Sequence, residues 1–200
     1  MKLISIATWL SAAALSFSVH AAPAKAGTYA IDQAHSTIGF DISHMVISSV
    51  DGRFKNFEGS ITVADKFEKS NVKANVDVNS IDTGNGKRDE HLKSPDFFDV
   101  AKFSKMTFES TSIKGSPESF KMEGKLTLHG VTKPVTFDGK YMGAINDGMG
   151  NDKVAFTASA KINRKDFGLA WNKAIEAGPI VGDELTISIK IEAGHPAAKK

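Results

Sequence analysis

Residues 71–79 read NVKANVDVN, and this stretch decides the fold class. Its apolar residues Val72, Ala74, Val76 and Val78 stand at every second position, with a polar residue between each pair. Because successive side chains of a β-strand point to opposite faces of a sheet, this period predicts a strand with one buried and one solvated face. Such strands are typical of antiparallel sheets.

The same alternation recurs along the chain, and turn-forming residues separate the runs. The further runs are residues 38–42, 122–128, 135–141, 156–162 and 185–191, and the turns are Asp51-Gly52, 114–117 and 146–151. About nine strand-like runs and no sustained helical period predict an all-β domain, a barrel or a sandwich. A barrel of about eight strands has an interior that is filled by side chains or holds one small ligand.

The size of the residues on the predicted inward faces does not decide between a filled interior and one that holds a ligand. Mid-sized side chains stand at inward positions of the strands, and bulkier ones concentrate near the predicted loops. The first group is Val72, Val76, Val78, Leu126, Leu128 and Ile162, and the second is Phe97, Phe98, Met106, Phe167 and Trp171. This distribution fits a hollow interior with aromatic ends, and a packed core explains it equally well.

Two segments do not follow the strand pattern. Residues 44–50 (HMVISSV) link two strands and are interpreted as a short helical turn. Residues 84–100 predict two short helices in series, one capped by Asn85 and one beginning at Ser94-Pro95-Asp96. The aromatic pair Phe97-Phe98 that follows must cap the core or line the mouth of a cavity.

The N-terminus and the composition limit the classes of function that this protein can have. Residues 1–21 predict a cleaved signal peptide, with Lys2, an apolar stretch over 3–14 and a small-residue cleavage pattern at 19–21. Residues 22–200 are then one exported domain, expected in the periplasm. The chain has no cysteine, which excludes disulfides, thiol chemistry and Cys-ligated metals. Its net charge of +2 argues against a nucleic-acid binder.

The sequence gives little support to catalysis. After the signal peptide the histidines His35, His44, His91, His129 and His195 show none of the spacings of a local metal-ligand pair. No nucleophile elbow or phosphate-binding loop is present. A metal site built from His35, His44 and His91 stays open as an alternative, as does a lipid-modifying activity that uses them.

An ordered set of motifs resembles the YceI-like, lipocalin-like polyisoprenoid-binding proteins. These motifs are IDQAHSTIGF at 31–40 with His44, GRF at 52–54, FEG at 57–59, SIDTGN at 80–85, RDxHL at 88–92, SxDFFDV at 94–100, GxLTLHGVTxPV at 124–135, NRxDFGL at 163–169 and VGDxL at 181–185. The resemblance covers nearly the whole of residues 22–200, in order and at ordinary spacing.

The resemblance implies an extended antiparallel lipocalin-like β-barrel of about eight strands with short helices at one end. Its tunnel would hold a polyisoprenoid chain, an isoprenoid quinone or a fatty amide. Residues 81–100 would form a lid over one end, tied by Asp89, with a second tie at Arg164 and Asp166. The residues expected to bind the ligand are Phe40, Ile42, Phe54, Val76, Val78, Arg88, His91, Leu92, Phe97, Phe98, Leu126, Leu128 and Trp171.

The expected function is therefore that of an exported, non-enzymatic protein that carries or stores a long apolar lipid. Apart from that lipid no cofactor or metal is expected, and the expected partner is the lipid rather than a nucleic acid. A homodimer stays open, as does a membrane redox or envelope partner for which the lipid is incidental.

Overall fold

The computed structural model describes residues 22–176 and 178–195, so the predicted signal peptide lies outside the described residues. Thirteen strands and one α-helix are found in the described ranges. They are β1 (Gly27–Ile31), β2 (Thr37–His44), β3 (Ser48–Phe54), β4 (Phe57–Val63), β5 (Asn71–Asp77), β6 (Ile81–Asp82), α1 (Gly86–Lys93), β7 (Lys105–Ser116), β8 (Ser119–Leu128), β9 (Val131–Asn146), β10 (Asp152–Asn163), β11 (Ala174–Ile175), β12 (Gly178–Pro179) and β13 (Val181–Gly194).

Eight of these strands close into an antiparallel barrel. Their order is β1-β4-β5-β7-β8-β9-β10-β13, and β13 pairs with β1 to complete the ring. A closed ring leaves no unpaired sheet edge in this half of the molecule. The predicted lipocalin-like β-barrel of about eight strands is thus confirmed.

The other half of the barrel is built from the continuations of three strands. A short 3-10 turn at Gln33–His35 joins β1 to β2, so that both strands follow the same edge of β13. β3 leads into β4 through residues 55–56, and β5 leads into β6 through the 3-10 turn Val78–Ser80. In this half the sheet runs β13-β2-β3-β6 and ends at β6. The helix α1 follows β6 at this point and contacts it.

The opposite end of the barrel is plugged by packed side chains. Tyr29 and Tyr141 are buried there with Val154 and Ala193. The hydroxyl of Tyr29 donates a hydrogen bond to the Lys25 carbonyl at 2.8 Å, and that of Tyr141 donates to the Ala22 carbonyl. Because both phenolic groups are satisfied, this end is closed without burying an unpaired polar group.

Three predictions from the sequence were wrong. Residues 45–47 form the turn of a β-hairpin and not a helical turn. Asp51-Gly52 lies within β3, where the absent side chain of Gly52 leaves room for the ring of Phe40 on the paired strand. Only one of the two predicted helices exists, because the chain after Ser94 folds into hydrogen-bonded turns that end at Asp99 with a left-handed φ of 45°.

Candidate ligand-binding cavity

The closed half of the barrel encloses a cavity of about 110 Å³, here called the inner chamber. Its wall is apolar except for Ser70, Thr107 and Thr157. Two of its apolar residues, Ile61 and Val63, also belong to the cluster that plugs the barrel, so the chamber lies next to the closed end. Packed interiors leave few voids larger than a water molecule, which needs roughly 10–15 Å³. A void of this size with this wall is suited to an apolar occupant.

A second cavity of about 260 Å³, the outer chamber, lies in the half that α1 covers. Its wall is also mainly apolar and includes Phe40, Ile42, Leu92, Phe98 and Leu185. Unlike the inner chamber it carries charged or titratable groups, which are His44, Arg88, His91 and Arg164. The polarity of the whole cavity therefore rises from the closed end toward α1.

The two chambers meet at three shared side chains. Ile38, Met106 and Ile187 line both, and we call these three residues the waist. They stand on β2, β7 and β13, which are different parts of the barrel wall. The chambers therefore adjoin end to end, with the waist between them.

The structure places most of the predicted ligand-binding residues on the chamber walls. The outer chamber is lined by Phe40, Ile42, Phe54, Arg88, His91, Leu92, Phe97, Phe98, Leu128 and Trp171, and the inner chamber by Val76 and Leu126. Val78 lines neither chamber. It begins a 3-10 turn after β5 and is 1 % exposed within the packed core.

Sequence reasoning missed much of the inner chamber. Ile187, Ile189 and Ile191 project into it from alternate positions of β13, a run whose alternation is visible in the sequence. Five phenylalanines also line it, although bulky residues were expected near the loops; they are Phe67, Phe108, Phe120, Phe137 and Phe156. Nothing in the local pattern shows that these rings leave space between them.

The α1 segment is tied to the barrel through Thr83. The carboxylate of Asp89 accepts hydrogen bonds from the Thr83 amide at 2.9 Å and from its hydroxyl at 2.6 Å. Arg88 donates to the same hydroxyl and to the Thr83 carbonyl, both at 2.8 Å. The side chain of Asn85 caps the helix by accepting from the amides of Lys87 and Arg88. The side chain of Asp89, which was expected to tie the lid, thus contacts Thr83.

Three rings meet where the lid faces the β10–β13 connection. The His91 ring stands edge-on to Phe97 at 5.1 Å and to Trp171 at 5.0 Å, and Phe97 and Trp171 are also 5.0 Å apart. The Oδ2 atom of Asp96 lies 2.9 Å from the Nε2 atom of His91 and holds the ring in place. His91 is exposed and all three rings line the outer chamber, so this cluster forms part of its mouth.

Arg164 forms the second tie, without the predicted help of Asp166. Its guanidinium is 2 % exposed and donates to the carbonyls of Gly182, Leu169 and Trp171. Burial lowers the pKa of this guanidinium, and the carboxylate that faces it, at 3.3 Å, is that of Asp183. Asp166 is exposed on the same 3-10 turn, Arg164–Phe167, and makes no side-chain hydrogen bond or ion pair with the described residues.

The three histidines of the alternative metal site do not meet. His35 lies in the 3-10 turn before β2 and His44 at the far end of that strand, whose length at about 3.3 Å per residue is roughly 23 Å. His44 and His91 both line the outer chamber, but His35 does not.

His35 belongs instead to a charged cluster with Asp32 and Glu192, whose potential ligand atoms lie within 4.8 Å of one another. The Lys153 ammonium stands between the two carboxylates, at 3.2 Å from Asp32 and 3.0 Å from Glu192. A lysine therefore already supplies the positive charge at this point. The hydrogen bond with His35, followed by that with Lys153, holds the pKa of Asp32 at about 2.

The described ranges contain no helix that is both long and apolar enough to span a membrane.

Comparison with known proteins agrees with this geometry. The protein-family model of the YceI-like domain matches residues 29–193. The chain belongs to the YceI-like domain family. It is 39 % identical over 175 residues to a UPF0312 protein of Pseudomonas paraeruginosa, covering 86 % of this chain and 89 % of that protein.

Solved structures share the fold of this YceI-like domain. BcnA of Burkholderia cenocepacia superposes with a TM-score of 0.70 at 24 % identity, over 82 % of this chain and 99 % of that one. A polyisoprenoid-binding domain of Saccharophagus degradans, described as implicated in plant cell wall breakdown, superposes with a TM-score of 0.61 at 18 % identity, over 88 % and 100 %. The two-chamber interior thus belongs to a YceI-like barrel.

Proposed function

We propose that this YceI-like barrel binds one long apolar lipid, a polyisoprenoid or an isoprenoid quinone, along its axis. The observation that carries this proposal is an apolar inner chamber that adjoins, at the waist, a larger chamber whose wall carries Arg88 and His91 from α1. Burial of apolar surface contributes about 25 cal/mol per Å². A long chain that fills both chambers gains more of this energy than a compact ligand that fills one.

The lipid is oriented with its tail in the inner chamber and its polar end near Arg88 and His91. Ser70, Thr107 and Thr157 give the inner chamber no charge, whereas the outer chamber presents a guanidinium and an imidazole. A quinone carbonyl or an alcohol accepts or exchanges hydrogen bonds with these groups, and an unpaired polar end is costly in the inner chamber. The polyisoprenoid-binding neighbour of the same fold supports this ligand class.

Binding rather than catalysis is the proposed activity. The described chamber walls contain no carboxylate, and their titratable groups are His44, His91, Arg88 and Arg164. His91 is held by Asp96 and Arg164 is occupied by three carbonyls, so neither is placed as an acid or base toward a bound chain. Transport or storage of the lipid in the periplasm, after export by the N-terminal segment, completes the proposal.

The test is to fill the inner chamber and to measure the bound lipid. Ala74 lines the inner chamber, and its neighbour Asn75 on β5 is exposed on the other face. Ala74→Phe is expected to reduce the isoprenoid recovered by organic extraction and mass spectrometry of natively purified protein. The matched control Asn75→Phe is expected to retain the lipid of the unchanged protein. Equal lipid content in the two variants, with both folded, would contradict binding in the chamber.

A further inference from the structure

The turn between β2 and β3 presents three consecutive apolar side chains to solvent. Met45, Val46 and Ile47, here called the β2–β3 tip, are 38 %, 66 % and 90 % exposed. Met45 and Val46 also adopt left-handed backbone conformations, with φ of 51° and 67°. Tight hairpins normally place Asn or Gly at such positions, because a β-branched residue is strained there. A sequence that keeps bulky apolar residues in an exposed and strained turn indicates that the tip contacts something.

The β2–β3 tip is part of the rim of the outer chamber. His44 and Val50, which stand on either side of the tip, both line that chamber. The amide of Met45 donates to the carbonyl of Ile180 at 2.8 Å, and Ile180 lines the chamber as well. The exposed apolar surface is therefore continuous with the apolar interior.

Charge distinguishes the β2–β3 tip from the exposed turn at the other end of the molecule. Residues 42–50 contain no Asp, Glu, Lys or Arg. The β9–β10 turn at the plugged end also exposes apolar residues, with Met149 82 % exposed, but it carries Asp147 and Asp152. Because a charged side chain is costly to move into lipid, an uncharged apolar tip is suited to enter a bilayer and the β9–β10 turn is not.

We propose that the β2–β3 tip inserts into the surface layer of a lipid bilayer and sets the mouth of the outer chamber against it. A long apolar chain then passes between the bilayer and the chamber without crossing water. The proposal rests on the proposed lipid-binding function and adds the surface through which the lipid is exchanged. Insertion of apolar side chains drives the contact, so it does not depend on anionic lipid and survives added salt.

The first experiment measures docking without any cavity ligand. The protein is sedimented with vesicles of phosphatidylethanolamine and phosphatidylglycerol, and Ile47→Asp is compared with Met149→Asp, which places the same charge on the exposed β9–β10 turn. Ile47→Asp is expected to lower the bound fraction by at least about fivefold, and Met149→Asp to leave it unchanged. Equal binding of the two variants, or no binding of the unchanged protein, would overturn the proposal.

The second experiment separates docking from lipid binding. Ubiquinone is offered either in these vesicles or in detergent micelles, and the rate and extent of loading are measured. The Ile47→Asp variant is expected to load as fully as the unchanged protein from micelles but about fivefold more slowly from vesicles. If Ile47→Asp lowers ubiquinone loading equally from vesicles and from micelles, the docking role is overturned. It is also overturned if the unchanged protein is a dimer and the variant is a monomer, because the tip is then a contact between two copies. Tip-dependent sedimentation of a protein that takes up no ubiquinone supports docking and removes the quinone from the proposed function.

Discussion

The Nε atom of Arg88 donates a hydrogen bond to the Oγ1 atom of Thr83 at 2.8 Å. The same hydroxyl donates to Asp89 at 2.6 Å, so a cation and a carboxylate on successive residues of α1 share one threonine at the end of β6. The segment between β6 and β7, residues 83–104, has no sheet partner and depends on such contacts for its position. Thr83 is therefore the point at which the lid of the outer chamber is attached.

Removal of this hydroxyl is expected to loosen the lid. Thr83→Val removes the hydroxyl that Arg88 and Asp89 share and leaves only their bonds to the backbone of residue 83. The change is expected to cost about 1–3 kcal/mol locally. The readout is amide hydrogen exchange, in which α1 is expected to lose protection while β8 and β9 keep theirs. Thr136→Val, at an exposed position of β9, is the control. Unchanged exchange of α1 in the Thr83 variant would show that other contacts hold the lid.

The buried Arg164 is expected to contribute far more stability than an exposed cation. Arg164→Met leaves the carbonyls of Gly182, Leu169 and Trp171 without their donor, at a cost of about 3 kcal/mol. For a domain of this size the melting temperature is expected to fall by roughly 6–12 °C.

Arg164→Lys is expected to rescue little, because one ammonium cannot reproduce the fork of a guanidinium. Lys161→Met breaks only an exposed pair with Glu184 and is expected to change the melting temperature by roughly 2 °C or less. Similar shifts for the positions 161 and 164 would contradict a structural role of the Arg164 tie.

The strands were predictable because one physical rule governs them. A barrel wall that faces an apolar interior on one side and solvent on the other requires alternation, and β2, β5, β8, β9, β10 and β13 follow it. The β2–β3 tip was not predictable, since Met45 and Val46 give no turn signal. Gly52 does give one, but it lies in a strand because Phe40 on the neighbouring strand needs the space.

The site was predictable to the extent that the resemblance supplied it. Residues in ordered motifs, such as Phe97 and Leu128, do line the outer chamber. Contacts between distant segments could not be read from spacing. Arg164 was expected to act with nearby Asp166, but its partners include Gly182 and Asp183, which the pairing of β10 with β13 brings alongside.

The charged cluster at Asp32 is expected to make stability depend on pH. The hydrogen bonds with His35 and then Lys153 hold the pKa of Asp32 at about 2, below its ordinary 3.8. A lowered folded-state pKa means that this stabilisation is present above about pH 4 and is lost as the pH falls toward 2. The pKa of His35 is raised above 6.5, chiefly by its hydrogen bond with Asp32. The His35 contribution is therefore present below pH 6.5 and is lost as the pH rises through the folded-state pKa.

Asp32→Asn is thus expected to destabilise the protein most between about pH 4 and 6.5, by about 1 kcal/mol, since the carboxylate is partly exposed. The loss is expected to become smaller as the pH rises through the folded-state pKa of His35, because Lys153 is then the remaining charged partner, and it is expected to be smallest near pH 2. Thermal unfolding of the variant across this range checks the profile. The control is Asp138→Asn, which breaks an exposed pair with Lys121. The difference in stability between this variant and the unchanged protein is expected to be the same at every pH in the range. A flat profile for Asp32→Asn would contradict the assigned pairing.

The waist is expected to determine how long a chain the barrel retains. Met106 lies between the two chambers, whereas Met122 lines only the inner one, and both are buried methionines on neighbouring strands. Met106→Phe places a rigid ring between the chambers and is expected to lower retention of a long polyprenol by roughly tenfold. Farnesol, which is short enough for the outer chamber alone, is expected to bind as before. Met122→Phe adds the same ring away from the waist and is expected to weaken the long chain much less. Equal effects of the two substitutions, or equal losses for both chain lengths, would show that the waist does not separate the chambers for the ligand.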